Sequence, residues 1–234
     1  MKPVAVFRHH RNEEPGYFAT YLDAQSVPWT MIKIDAGEAP PAIPDSYSGL
    51  AFMGGPMSVN DDLPWIPGVL ELIRAAVRQQ VPVIGHCLGA QLMSKALGGA
   101  VTLNPDKEIG WGRVDVADNA EARDWFGATR SFASFHWHGE TFSLPKGATC
   151  VASSPYCANQ AFVLGPHLGM QCHVEMTPEI VRAWCASGRE ELERSVSPGV
   201  QSAAEMQAHL DPRVSVLNGI AAQLYARWIK NLQQ

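Results

Sequence analysis

The chain has 234 residues, of which 46% are hydrophobic and 18% charged, values that suit one large domain with a substantial buried core. Its net charge is −5 and no basic cluster stands out, which argues against nucleic acid as the main ligand. No apolar run approaches the roughly 20 residues of a membrane span, and the opening M-K-P-V-A-V-F-R-H-H is too briefly apolar for a signal peptide. Five cysteines (Cys87, Cys150, Cys157, Cys172, Cys185) lack C-x-x-C spacing; they read as free thiols of a reducing compartment, so a cytoplasmic protein is expected.

Residues 4–7 form a short apolar run and predict a first strand, followed at its end by His9-His10. Residues 17–23 suit a short helix packing Phe18, Tyr21 and Leu22, and 29–34 alternate as a second strand. Residues 50–53 predict a third strand ending in Gly54-Gly55-Pro56, and 64–79 a helix with Val69, Ile73, Ala76 and Val77 on one face. A fourth strand over 81–84 leads into G-H-C-L-G and a helix that stops at Gly98-Gly99. Apolar strands ending in glycine and alternating with helices make a doubly wound α/β pattern with a largely parallel sheet. Short runs at 100–103, 111–116, 131–135, 141–144, 149–152 and 161–164 suggest an added antiparallel region of hairpins. A further strand is expected over 168–174, and Thr177-Pro178-Glu179 opens a helix to about 187, with Thr177 as N-cap. A short helix over 200–209 and a last helix from Asp211-Pro212 follow. The last carries the apolar stripe Val214, Leu217, Ala221, Leu224, Trp228 and Leu232, which should dock on the body of the domain.

Cys87 sits at a strand-to-helix turn with glycine two residues away on each side, the pattern of a nucleophile elbow. The helix start beneath it favours negative charge on the sulfur; the bland alternative is a buried cysteine acting as a small hydrophobe. A cysteine nucleophile needs a base and an orienter for that base. On a strand, His173 and Glu175 would share a face, so the carboxylate can hold one ring nitrogen and leave the other for Cys87. In an α/β sheet ligands bind beyond the carboxyl ends of strands, where Gly54-Gly55 and Cys87 both lie. His136 and His138 make an H-x-H pair, but no carboxylate or further histidine stands at metal-site spacing, and no metal is expected. His86 is expected to pack or hydrogen-bond locally.

Together these motifs resemble the class I glutamine amidotransferases, the triad type. The elbow pattern G-x-C-x-G-x-Q is matched by Gly85, Cys87, Gly89 and Gln91. The pattern Q-F-H-P-E is matched by Gln171, His173 and Glu175, and the glycine loop by Gly54-Gly55-Pro56. The tracts Glu108-Ile109-Gly110-Trp111 and Trp137-His138-Gly139-Glu140 are similar to the stand-alone branch akin to the amidotransferase part of GMP synthase. Cys172 and Val174 depart from the common Phe and Pro, and Cys172 adds a second thiol that could oxidise with Cys87. The resemblance implies one flavodoxin-like domain over 1–234, with a catalytic core over about 4–190 and a helical extension over about 199–232. It implies glutamine-amide hydrolysis by Cys87, His173 and Glu175. The oxyanion would sit against the Gly55 and Leu88 amides, and Gly54, Gln91, Trp137 and His138 would hold substrate; no cofactor is called for. Either a separate synthetase subunit is the ammonia acceptor or the protein acts alone. Two alternatives stand beside this reading: a γ-glutamyl peptidase or hydrolase of the same fold, and a catalytically idle binding subunit.

Overall fold

The computed structural model describes residues 1–233. In chain order its elements are β1 (Val4–Arg8), α1 (Gly16–Ala24), β2 (Trp29–Lys33), β3 (Gly49–Phe52), α2 (Ile66–Arg78), β4 (Val83–His86), α3 (Leu88–Ala96), β5 (Val101–Val116), α4 (Ala120–Phe126) and β6 (Ser131–Phe142). There follow β7 (Thr149–Ser153), β8 (Ala161–Leu164), β9 (His167–Met170), α5 (Pro178–Ser187), α6 (Arg189–Arg194), β10 (Gly199–Val200), α7 (Ala203–Gln207) and α8 (Leu210–Ile229). All the strands join one mixed sheet in the order β10-β5-β7-β8-β9-β4-β3-β1-β2, with β6 paired to β5. From β2 through β9 the pairings are parallel. From β9 onward through β8, β7, β5 and β6 they are antiparallel. The antiparallel region is therefore an extension of the parallel sheet rather than an appendage to it.

Strands β1, β3, β4 and β9 are buried on both faces, which is why the first three read as continuous apolar runs, whereas the edge strand β2 is only partly buried and alternates. On β1, Val4 and Val6 enter one core with α1, α4, α5 and α8. Their neighbours Ala5 and Phe7 enter a second core with α2 and α3 on the opposite face. The α8 stripe docks as expected, with Val214, Leu217, Ala221, Leu224 and Trp228 buried.

Several boundaries differ from expectation. The runs at 100–103 and 111–116 are one 16-residue strand, β5, whose register shifts between Leu103 and Glu108. That irregularity absorbs the polar stretch Asn104-Pro105-Asp106-Lys107, which breaks the alternation a strand reading needs. The runs at 131–135 and 141–144 likewise merge into the 12-residue β6. The strand expected over 168–174 ends at Met170, so His173 and Glu175 lie beyond it. Two helices were not anticipated. Helix α4 is capped by the Asn119 side chain, and α6, R-E-E-L-E-R, has no buried residue and hence no apolar stripe to read. The helix expected over 200–209 is shorter, starting from a Ser202–Glu205 capping box.

Candidate active site

β4 ends one residue before Cys87, and α3 begins one residue after it. The turn between them forces Cys87 to φ 50° and ψ −108°, a conformation costing an L-residue on the order of 1–3 kcal/mol. A Cβ at Gly85 would stand 2.5 Å from the Gly89 carbonyl carbon, and one at Gly89 would stand 2.1 Å from the Phe52 oxygen. Only glycine fits at either position, so the elbow glycines are spacers against backbone. The Cys87 amide donates to the Met170 carbonyl at 2.7 Å, which fastens the elbow to the end of β9. That bond also carries the chain from β9 straight over the sulfur into Gln171-Cys172-His173.

Gln171 Nε2 donates to Cys87 Sγ at 3.4 Å, and Gln171 Oε1 accepts from Gln91 Nε2 at 3.1 Å. Gln91, expected to contact substrate, thus uses its amide nitrogen to orient Gln171 from the next turn of α3. His173 hydrogen-bonds Glu175 Oε1 through Nδ1 at 2.6 Å. Although this segment is not a regular strand, His173 is held by the isolated bridge to Phe135 on β6, and the His–Glu pair survives. His173 Nε2 is buried without a partner. Burial alone would lower the His173 pKa; the Glu175 carboxylate and the facing Cys87 sulfur outweigh it and raise it well above the usual value. Burial would raise the Glu175 carboxyl, yet the His173 charge, followed by His86, draws it down to about 2. His86 does pack locally: it lies 3.1 Å from the Tyr225 hydroxyl and 3.9 Å from Glu175 Oε2, and burial lowers its pKa.

The loop after β3 faces this group. Gly54 lies against His173 and the Glu13 carboxylate, whereas Gly55 abuts the Leu88 and Met57 side chains. Among the described residues neither the Gly55 nor the Leu88 amide donates a backbone hydrogen bond. On the other side the Trp137 carbonyl is 3.9 Å from Cys87 Sγ, while the Trp137 indole donates outward to Glu191 at 2.8 Å. Thus the backbone of β6, rather than the indole, borders Cys87.

The His138 side chain is committed elsewhere, to Glu108 at 3.1 Å. This corrects the expectation that no carboxylate accompanies the H-x-H pair. Glu108 is opposite His138 in the β5–β6 register, a partnership that sequence spacing cannot display. Glu108, His136 and His138 bring ligand atoms within 4.8 Å of one another and could in principle offer a metal two nitrogens and an oxygen. Glu108 is already held by Ser154 at 2.8 Å and Gln160 at 2.6 Å, so the cluster pins the hairpin beneath Trp137. Cys172 faces the core. It is 1% exposed, and burial pushes its thiol up to about 12, a poor setting for the suggested exchange with Cys87.

Sequence reasoning missed the link from Gln91 through Gln171 to the sulfur, although both glutamines were in the motifs. It also missed Trp184, whose ring meets His173 edge-on at 4.8 Å, and Glu13, which no motif marks.

Comparison with known proteins agrees with this geometry. Residues 19–182 match the family model "Glutamine amidotransferase class-I". A crystal structure of a glutamine amidotransferase from Methylobacillus flagellatus superposes with a TM-score of 0.98 at 47% identity, covering 100% of this chain and 96% of that one. The glutamine amidotransferase-like protein YfeJ of Salmonella typhimurium is 31% identical over 86% of this chain and 87% of its own. Gamma-glutamyl peptidase 3 of Arabidopsis thaliana is 28% identical over 71% of each. The chain belongs to the class I glutamine amidotransferase family.

Proposed function

We propose that the chain hydrolyses the side-chain amide of glutamine, or of a γ-glutamyl compound, through a thioester on Cys87. The observation that carries this reading is the state of His173: its Nδ1 is tied to Glu175, and its buried Nε2 is unpartnered beside the elbow cysteine. In apo enzymes such nucleophile–base contacts are often loose and tighten with substrate.

In the proposed reaction Cys87 passes its proton to His173 Nε2 and the sulfur attacks the amide carbon. The oxyanion develops against the free Gly55 and Leu88 amides, each worth roughly 3 kcal/mol when aimed at developing charge. A histidine of raised pKa retains the proton until the C–N bond breaks, then gives it to the departing nitrogen. Water, deprotonated by His173, then releases the glutamyl group as acid. Gln91, Gly54 and the Trp137–His138 backbone hold the amino-acid end of the substrate. Five free cysteines suit a reducing cytoplasm, and among the described residues no helix is long and apolar enough to cross a membrane. A separate synthetase subunit would take up the ammonia where the nitrogen is used.

A second reading, γ-glutamyl peptidase, is favoured by the similarity to Gamma-glutamyl peptidase 3. Ammonia release from glutamine, measured beside glycine release from γ-glutamylglycine, ranks the two. Labelling of Cys87 by a glutamine-like chloroketone tests what they share. Failure to label and failure to turn over either substrate would leave only an idle binding subunit.

A further inference from the structure

Glu13 stands in the cleft without a role in that mechanism. If Gly54 carried a Cβ, Glu13 Oε2 would be 2.5 Å from it and His173 Cε1 3.3 Å. The carboxylate and the catalytic ring thus crowd the same point, beside the carbon that adjoins the unpartnered Nε2. The placement is enforced. The Trp184 indole that packs on His173 also donates to the Asn12 carbonyl at 2.8 Å, and the Glu13 amide closes a turn onto His10 at 2.9 Å. Its neighbour Glu14 pairs with Arg8 at 2.6 Å. Glu13 itself, half-buried, makes no ion pair with Lys, Arg or His within 4.0 Å among the described residues. Burial, and then Glu175 against the pull of His173, pushes its carboxyl up to about 7. Burial also lowers the His86 pKa. Among the described residues Glu13 therefore lacks the cationic partner that would hold its carboxyl ionised beside the His173–Glu175 pair.

The missing charge has a natural source. His173 Nε2 delivers its proton to the departing nitrogen, so Glu13 flanks the path of the leaving group. We infer, resting on the acyl-transfer reading above, that Glu13 forms a leaving-group subsite selecting γ-glutamyl amides whose departing amine carries a second, protonated amine. In the step concerned the C–N bond breaks and its electron pair stays on nitrogen. The nitrogen takes the His173 proton, the acyl group remains on Cys87, and the remote ammonium of the leaving group pairs with Glu13. An amino-acid leaving group would instead bring its carboxylate against Glu13, which disfavours γ-glutamyl peptides.

The test uses three amides: the γ-glutamyl 3-aminopropylamide, the γ-glutamyl butylamide, which has as many heavy atoms and no charge, and γ-glutamylglycine. For the wild-type protein kcat/KM should favour the aminopropylamide over the butylamide by roughly tenfold or more, with γ-glutamylglycine last. Glu13→Gln should bring the aminopropyl-to-butyl ratio close to one, and Glu13→Asp should restore part of it. A wild-type ratio near one, or a ratio that Glu13→Gln leaves unchanged, overturns the subsite. So does chloroketone labelling of Cys87 without turnover of any of the three amides, an outcome that spares the acyl-transfer reading. No labelling and no turnover overturns both.

Discussion

In the parallel half of the sheet, β3, β4 and β9 stop at one edge, and the residues that follow within two positions include Gly54, Cys87 and Gln171. In the antiparallel half, β5 and β6 pair along most of their length, and among the described residues their approach to Cys87 is the Trp137 carbonyl. In the proposed reaction the first half supplies the groups that change protonation or bonding. The second supplies a wall, fastened from below by Glu108, His138, Ser154 and Gln160. The difference follows from geometry. Parallel strands end together and release their loops into one crevice, whereas a long hairpin presents backbone along its flank and can be held rigid by cross-strand pairs.

The sharpest break of this contrast is Cys87→Ala, which should lower glutamine or γ-glutamyl amide turnover by about 10⁴-fold or more, as for other lost nucleophiles. Because the substitution removes only the sulfur and keeps the Cβ that strains the turn, thermal stability should hold; residual turnover near wild type would refute the nucleophile. Glu175→Gln comes next, with kcat expected to fall about 10³-fold, since the amide neither holds the imidazolium nor fixes its tautomer. KM should move far less, and a KM effect without a kcat effect would reassign Glu175 to substrate binding.

A third prediction concerns acid. Burial, the largest cause at each, lowers His9, His136 and His167 to about 4. These groups are neutral in the fold, while the unfolded chain takes up their protons below about pH 6.5. Their contribution is therefore complete above that value and is lost as pH falls toward 4, by up to about 3 kcal/mol each. Glu175, lowered to about 2, keeps its contribution through this window and loses it only below its unfolded value. Tm should fall steadily between pH 6.5 and 4.5, and His136→Asn, on β6, should flatten part of the slope. A Tm independent of pH over this range would contradict the assignment of these rings as neutral and buried.

The same division governs how much could be read from the chain alone. Strands β1, β3 and β4 are buried on both faces, and glycines mark the ends of β3 and β4, so their runs and the elbow at Cys87 stand out. His173 and Glu175 were legible for a reason only partly right: they pair two residues apart, but past the strand end and through the bridge to Phe135. The hairpin was fragmented because Asn104 to Lys107 interrupt its alternation while the chain passes through an irregularity. Glu108 with His138, and Glu13 with His173, are separated by dozens of residues, and local pattern holds no trace of such pairs. Glu108→Gln tests the hairpin half directly. With Ser154, Gln160 and His138 left facing a neutral amide, about 1–3 kcal/mol of stability should be lost, read as a lower Tm. Turnover should fall less than tenfold; a loss as deep as that of Glu175→Gln would move Glu108 from the wall into the chemistry.

The smallest effect is expected at Cys172, and it separates the two cysteines that flank the catalytic segment. Both are largely buried, but Cys87 stands at the cleft with Gln171 on its sulfur, whereas Cys172 lies in the core with its thiol raised to about 12 by burial. The thiolate is the form that alkylates, so brief iodoacetamide treatment at pH 8 should mark Cys87 and spare Cys172. Cys172→Ala should leave both the rate of Cys87 labelling and turnover within twofold of wild type, because it removes one buried sulfur that touches no reacting atom. Peroxide should also inactivate the wild type and Cys172→Ala at the same rate. Slower inactivation of the variant would mean that a Cys87–Cys172 disulfide forms after all, and that the core around Cys172 opens far enough to let the two sulfurs meet.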